Sequence, residues 1–178
     1  AVRAAREAAA VVETYDFGRF RTLVDVGGGS GVLAREILRT APRLSMTLFD
    51  RPEVVREARL PHVGGDFFVE VPAGADAYVL SRVVHDWSDA DAVAILRTVR
   101  RAMPDDGTLL LVEAVLPARA ADDPAAVRMD VHMLTLLGGQ ERTVDEYAEL
   151  LTAAGFRLDR AVPAGPGSGV HVLEARPT

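Results

Sequence analysis

The sequence predicts an α/β fold, a parallel sheet with helices on its faces, and three observations carry that expectation. Short β-rich apolar runs alternate with longer stretches of helical periodicity, as in strand-helix-strand units. Residues Leu23-Val-Asp-Val-Gly-Gly-Gly-Ser-Gly31 join an alternating apolar run to four glycines and then to a helical pattern. The 178 residues are 49% hydrophobic with a mean hydropathy of +0.12, enough for one core and one domain over residues 1–178.

Residues 2–15 read as a helix with Val2, Ala5, Ala9 and Val12 on its apolar stripe, broken at Asp16 to Gly18. The first strand is Thr22 to Val26. A helix over Ser30 to Arg39 stops before Pro42, and Leu44 to Phe49 form a second strand closing on Asp50. A helix near Glu53 to Ala58, a short strand at His62 and Val63, and a strand over Ala77 to Val83 follow. Ser88 stands three residues before Asp91, the spacing of a capping box, and opens a helix over Asp89 to Met103. Pro104-Asp-Asp-Gly107 turns into an apolar strand over Thr108 to Val115. Two helices are expected over Pro124 to Leu137 and Val144 to Ala154, the second capped by Thr143 and Glu146, then strands over Phe156 to Val162 and Val170 to Glu174.

Composition removes several classes of function. Twenty basic against 26 acidic residues give a net charge of −6, and no basic block interrupts the chain, so nucleic acid is not an expected partner. With no cysteine, disulfides and Cys-based zinc sites are excluded. No apolar run approaches the roughly 20 residues that span a bilayer, and the first residues hold Arg3, Arg6 and Glu7 in place of a signal-peptide core. The chain is therefore read as soluble and cytoplasmic. It begins at Ala1 without a methionine and is read as a piece of something longer.

The glycines suggest a ligand. A strand, a glycine turn and a helix start place Gly27 and Gly29 over the carboxyl end of the sheet, where open α/β sheets bind small molecules. The spacing is G-x-G-x-G; the third glycine of a dinucleotide fingerprint is replaced by Val32. That suits a nucleoside carrying an amino-acid tail. Asp50, at the end of the second strand, can accept both hydroxyl protons of a ribose. Asp66 can accept from an exocyclic amine while Phe67 covers a purine face, although Phe67 and Phe68 are equally candidates for the core.

Five segments in order then carry a family resemblance: the Leu23 glycine segment, Phe49-Asp-Arg-Pro52, Val63-Gly-Gly-Asp-Phe67, His85-Asp-Trp-Ser-Asp89 and Gly138-Gly-Gln-Glu-Arg-Thr143. The chain resembles the catalytic domain of class I S-adenosylmethionine-dependent O-methyltransferases acting on phenols and other small hydroxylated metabolites. The resemblance implies a Rossmann-like, seven-stranded, mostly parallel sheet with one antiparallel strand. It implies S-adenosylmethionine as cofactor, S-adenosylhomocysteine as product, and a hydroxylated small molecule, phenolic or polyketide-like, as acceptor. It also implies His85 as general base. A neutral hydroxyl is a poor nucleophile, and an imidazole with an ordinary pKa near about 6.5 is ready to take its proton.

By the same resemblance, Glu113 and Glu141 orient His85. Glu113 ends an apolar strand, an expensive place for a charge without a partner unless the strand end is already in solvent. Glu141 has neighbours, Gln140 and Arg142, that read as solvated, and Asp86 is an alternative partner whose adjacency points it away from the ring. The family's helix against the acceptor falls on Met133 and His132, so Met133 is a candidate substrate contact. His62 and His171 read as structural. The histidine base takes the place of a metal-bound catechol, so no metal is expected.

Two departures stand out. The family's cofactor-contacting lysine, four residues before His85, is Ser81 here, and strand alternation places the following Arg82 on the other face. The family's amino-terminal helical domain, which forms a homodimer and covers the acceptor, is missing; the helix at 1–17 is read as its connector. The chain is expected to bind cofactor and to methylate poorly alone. Two other readings use the same features. A relative of the family can bind the cofactor in a non-methylating or structural role. An NAD-dependent oxidoreductase would share the sheet, the glycines and Asp50, but the missing glycine and the absence of any lysine for a Tyr-x-x-x-Lys pair oppose it.

Overall fold

The computed structural model describes residues 2–117, 140–165 and 168–178. The expected helix over Pro124 to Leu137, with His132 and Met133, lies outside the described residues. Helix α1 spans Val2–Thr14 and strand β1 Thr22–Val26; α2 is Val32–Thr40, β2 Ser45–Asp50, α3 Pro52–Val55 and β3 His62–Gly64. Strand β4 runs over Ala77–Ser81, α4 over Asp89–Ala102 and β5 over Thr108–Ala114. Helix α5 covers Val144–Ala153, β6 Phe156–Pro163 and β7 Val170–Pro177. Among the described residues, no helix is long and apolar enough to cross a membrane.

The seven strands lie in the order β3-β2-β1-β4-β5-β7-β6. Strands β1 to β5 pair in parallel, and β7 is antiparallel to both β5 and β6. The chain order reverses between β1 and β4, and a crevice opens outside the carboxyl ends of two strands whose connections leave in opposite directions. Residues Leu109 to Leu111 are fully buried, as a central strand covered on both faces requires. One apolar layer joins α4 and α5 to the sheet through Ile95, Leu96, Val99, Tyr147 and Leu151. The other joins α1 and α2 to the opposite face through Val11, Val12, Ala34 and Ile37.

Helix α1 is thus packed on the sheet, and its end is tied down. Tyr15 donates to Glu174 Oε2 on β7 at 2.7 Å, and Arg160 Nη2 pairs with the same oxygen at 2.7 Å. Most boundaries fall within one residue of the sequence reading, β7 runs on to Pro177, and the differences near the glycine turn and the end of β4 are local. Helix α2 starts at Val32 because Gly31 before it is left-handed at φ 73°. Helix α3 is a single turn. Strand β4 ends at Ser81, two residues before Val83, because Arg82 adopts φ 57° and turns the chain out of the sheet. The capping box at α5 is complete, with Glu146 Oε2 accepting from Thr143 N at 2.7 Å and Glu146 N donating to Thr143 Oγ1 at 3.3 Å. At α4 it is half formed: Ser88 accepts from Asp91 N at 3.3 Å, and the shorter Asp91 carboxylate takes the Ser88 hydroxyl.

Candidate active site

The glycine turn is built by close approach. Gly27 N donates to the Phe49 carbonyl at 2.7 Å, which pins the end of β1 to β2. Gly27 and Gly29 have φ of 72° and 55°, the left-handed region that favours glycine. A Cβ on Gly27 would stand 2.7 Å from Val83 Cγ2, and one on Gly28 would stand 2.4 Å from Leu48 Cδ1 and 2.6 Å from Asp25 Oδ2. A Cβ on Gly29 would meet no described atom within 4 Å. Gly29 N instead donates to Asp50 Oδ2 at 2.9 Å, while Asp50 Oδ1 accepts from Arg51 N at 2.7 Å.

Gly27, Asp50, Asp66, Phe67, Arg82 and Trp87 line one cavity of about 890 Å³. Asp66 Oδ1 accepts from Phe68 N at 2.9 Å and so holds the turn that presents Phe67. Phe67 meets Phe68 and Trp87 edge-on at ring separations of 5.3 and 5.9 Å, and the three rings give the cavity an aromatic part of its lining. A second cavity of about 160 Å³ shares Gly27 and Arg82 in its lining and is bordered also by Asp25, Gly28, Ser81 and Glu7 of α1.

Asp25 is 1% exposed, and neither carboxylate oxygen has a hydrogen-bond partner among the described residues. Burial, with the Asp50 charge beside it, pushes its pKa up to about 7. Sequence spacing did not single this residue out. The signal was present, since an ionisable group inside the buried run Leu23-Val-Asp-Val26 carries the cost that marks Glu113.

His85 is 6% exposed, on the short turn Val84–Asp86 after β4. Its Nδ1 stands 3.6 Å from Glu141 Oε1 and 3.7 Å from Glu113 Oε2, so the two predicted carboxylates and the predicted base come together. Glu113, at 0% exposure, is not a solvated strand end; its Oε1 accepts from Val83 N at 3.0 Å and Val84 N at 2.8 Å. Glu141 is 5% exposed, and Arg82 Nη2 donates to its Oε1 at 3.3 Å. Burial pushes Glu113 up to about 7 against the pull of His85 and Arg82. Burial also works to raise Glu141, but His85 and Arg82 overcome it and hold this carboxyl below its ordinary value. For His85, burial lowers basicity, and Glu141 and Glu113 more than offset it, leaving the ring above its ordinary value.

Three expectations need correction. Asp86 does not point away: its Oδ1 stands 3.2 Å from His85 Nε2, on the nitrogen opposite the buried pair. Arg142 is not solvated but 1% exposed; it donates to Asp89 Oδ1 at 2.8 Å and to the carbonyls of Trp87 at 2.9 Å and Val84 at 3.3 Å, gripping the His85 turn from outside. Arg82 does not lie on the far face, because β4 has ended and alternation no longer applies. Ser81 lines the small cavity. His62 is exposed beside the Leu60 carbonyl, and His171 is the ladder partner of Glu113 on β7.

A family model described as an O-methyltransferase domain matches residues 5–157. The chain belongs to that O-methyltransferase family. A phenazine O-methyltransferase of Lysobacter antibioticus is 48% identical over 180 residues, covering 94% of this chain and 52% of its own length. A mitomycin biosynthesis 6-O-methyltransferase of Streptomyces lavendulae is 40% identical over 181 residues, covering 96% and 51%. Among solved structures, a methyltransferase of calicheamicin biosynthesis in its S-adenosylhomocysteine-bound form aligns with a TM-score of 0.88 at 40% identity, over 98% of this chain and 54% of that one. Human N-acetylserotonin methyltransferase in complex with S-adenosylmethionine aligns at 0.87 with 32% identity, over 96% and 51%. The chain spans about half the length of the curated relatives it matches.

Proposed function

We propose that this O-methyltransferase domain moves a methyl group from S-adenosylmethionine to a hydroxyl of a small aromatic metabolite, with His85 as the general base. The observation that carries the reading is the placement of His85: two buried carboxylates face one ring nitrogen, 3.6 and 3.7 Å away, beside a cleft built on a glycine turn.

The residues present suit the cofactor. Gly27 and Gly28 leave no room for a Cβ, Asp25 offers a buried carboxylate to an ammonium, and Asp50 retains lone pairs for a ribose. Asp66 and Phe67 would take the purine edge and face. When bound, S-adenosylmethionine supplies an electrophilic methyl group on a sulfonium. His85 would take the acceptor hydroxyl's proton at Nε2, because Nδ1 is turned to Glu113 and Glu141, which stabilise the imidazolium formed. Arg142 and Glu113 keep the turn in place from its two sides.

The names of relatives support an aromatic acceptor. One acts on a phenazine, another on 3-amino-4-hydroxybenzoate, and a solved neighbour holds a hydroxynaphthoic acid. We infer further that residues 1–178 act as one cofactor-binding unit in which α1 is a connector. On this reading dimerisation and closure over the acceptor, where Met133 would contribute, draw on the other half of the relatives' length, and this chain alone turns over slowly. Calorimetry with S-adenosylhomocysteine, with Asp50→Ala and NAD as controls, tests the cofactor reading. Tight binding lost in the variant and absent for NAD is expected. No binding by a folded chain would overturn it. A turnover rate matching a full-length relative would overturn the expectation of slow activity.

A further inference from the structure

Three carboxylates crowd one imidazole. Asp86 Oδ1 lies 3.2 Å from Nε2 on one side of the His85 ring, and Glu141 Oε1 and Glu113 Oε2 lie 3.6 and 3.7 Å from Nδ1 on the other. Each negative charge favours the protonated ring, and a protonated ring accepts no proton. A base in this setting needs an opposing charge that does not itself titrate. Arginine supplies one at any working pH.

Arg82 is built into that place at a conformational cost. Among the described residues it is the non-glycine position with positive φ, at 57°, a region that disfavours residues bearing a Cβ. The turn brings Nη2 to 3.3 Å from Glu141 Oε1, the same oxygen that faces His85 Nδ1. Its other terminal nitrogen, Nη1, is buried without a partner among the described residues, and the side chain borders both cavities. The guanidinium therefore stands one carboxylate oxygen away from the imidazole.

We propose that Arg82 is a positioning residue that limits the protonation of His85, by fixing Glu141 and by opposing the three carboxylates with a permanent positive charge. This rests on the reading of His85 as the base. The other groups facing the ring do not supply the opposition. Arg142, from the strip before α5, is engaged by Asp89 and by the carbonyls of Val84, Trp87 and Gln140; Tyr147 of α5 is held in its neutral form by burial and by Glu113 and Glu141. Arg82 lowers the basicity of His85 where the three carboxylates raise it, which agrees with the geometry.

The test reads His85 directly, by ring-carbon NMR titration of the ligand-free chain, with His85→Gln assigning its signal among the four histidines. In Arg82→Met the midpoint should move to higher pH, raising the ratio of protonated to neutral ring at pH 7 by about threefold to tenfold. Arg82→Lys keeps the charge and should restore the midpoint toward wild type. If Arg82→Met does not fold, Arg82→Asn is a second neutral variant, suited to left-handed backbone. An unmoved or lowered midpoint in a folded neutral variant overturns the proposal, including the case where that variant merely loses S-adenosylhomocysteine. Failure of the wild-type chain to bind S-adenosylhomocysteine would instead count against the methyl-transfer reading, and the His85 titration would still decide the role of Arg82.

Discussion

Glu113 builds the turn that carries His85 and faces the imidazole with the same carboxylate. Its Oε1 accepts from the N–H groups of Val83 and Val84 at 3.0 and 2.8 Å, and its Oε2 stands 3.7 Å from His85 Nδ1. Two backbone donors left by the early end of β4 are satisfied by a side chain from the neighbouring strand. The proposed base is thereby tied to a fully buried side chain of β5.

Removing that carboxylate should separate its two roles. Glu113→Ala leaves two buried N–H groups without an acceptor, at about 1–3 kcal/mol each, and should lower the melting temperature and speed hydrogen exchange at residues 83–86. Glu113→Gln keeps one oxygen for the turn and removes the charge. It should fold with a smaller loss of stability, while its methyl transfer still falls, though no further than in Glu113→Ala, which loses the turn as well as the charge. Equal stability of the two variants would contradict the structural role.

His85 itself is the sharpest test of chemistry. His85→Ala should reduce kcat by roughly 100-fold to 10,000-fold, the contribution of a positioned general base, with the dissociation constant for S-adenosylhomocysteine changed by less than about twofold. Turnover of a hydroxylated aromatic acceptor by the enzyme, beside calorimetry on the same variant, provides both numbers. Undiminished turnover would remove His85 from the mechanism.

Periodicity made the strands and most helix limits legible, because β1, β2 and β5 are apolar runs with clear turn chemistry around them. It failed at β4, expected over Ala77 to Val83, where Val83 and Val84 resume the apolar pattern after Ser81 and Arg82 but the strand stops at Ser81. The chain leaves the sheet at Arg82, and the N–H groups freed there are taken by Glu113, 29 residues beyond Val84, a tertiary contact that no local window contains. Arg142 illustrates the same limit: between Glu141 and Thr143 it reads as surface, and only the folded turn offers the carbonyls and the Asp89 carboxylate that make its burial tolerable. His85, Glu113 and Glu141 were singled out as candidates through resemblance. Their shared geometry, and the crowding by Asp86, required the fold.

The glycines should differ in kind when replaced. Gly28→Ala places a Cβ 2.4 Å from Leu48 Cδ1 inside the core and should destabilise the chain. Gly29→Ala meets no described atom within 4 Å, so its stability cost is the about 1–2 kcal/mol of a left-handed alanine. Its added methyl group should still weaken S-adenosylhomocysteine by tenfold or more if the ligand backs onto this turn. A folded Gly29→Ala chain with wild-type affinity would place the ligand elsewhere.

If Asp25 receives the cofactor's ammonium as proposed, it should tie cofactor binding to pH. Its pKa stands at about 7 in the folded, ligand-free chain against an ordinary value of 3.8, so the folded state holds the proton more tightly than the unfolded state. Stability from this group is complete below about pH 4 and is lost as pH rises toward about 7. Glu113, also raised to about 7, acts with the same sign, so the comparison must be made by difference. Asp25→Asn should therefore raise the melting temperature more at pH 8 than at pH 5. Binding runs the other way, because an ammonium needs the ionised carboxylate. Between about pH 7 and 5.5 the α-ammonium of S-adenosylhomocysteine stays charged while Asp25 takes up its proton, so wild-type affinity should fall by up to about tenfold per pH unit. Asp25→Asn should bind more weakly and with little pH dependence. Calorimetric titrations across that range measure both slopes, and parallel slopes in the two proteins would show that the buried carboxylate of β1 does not receive the ammonium.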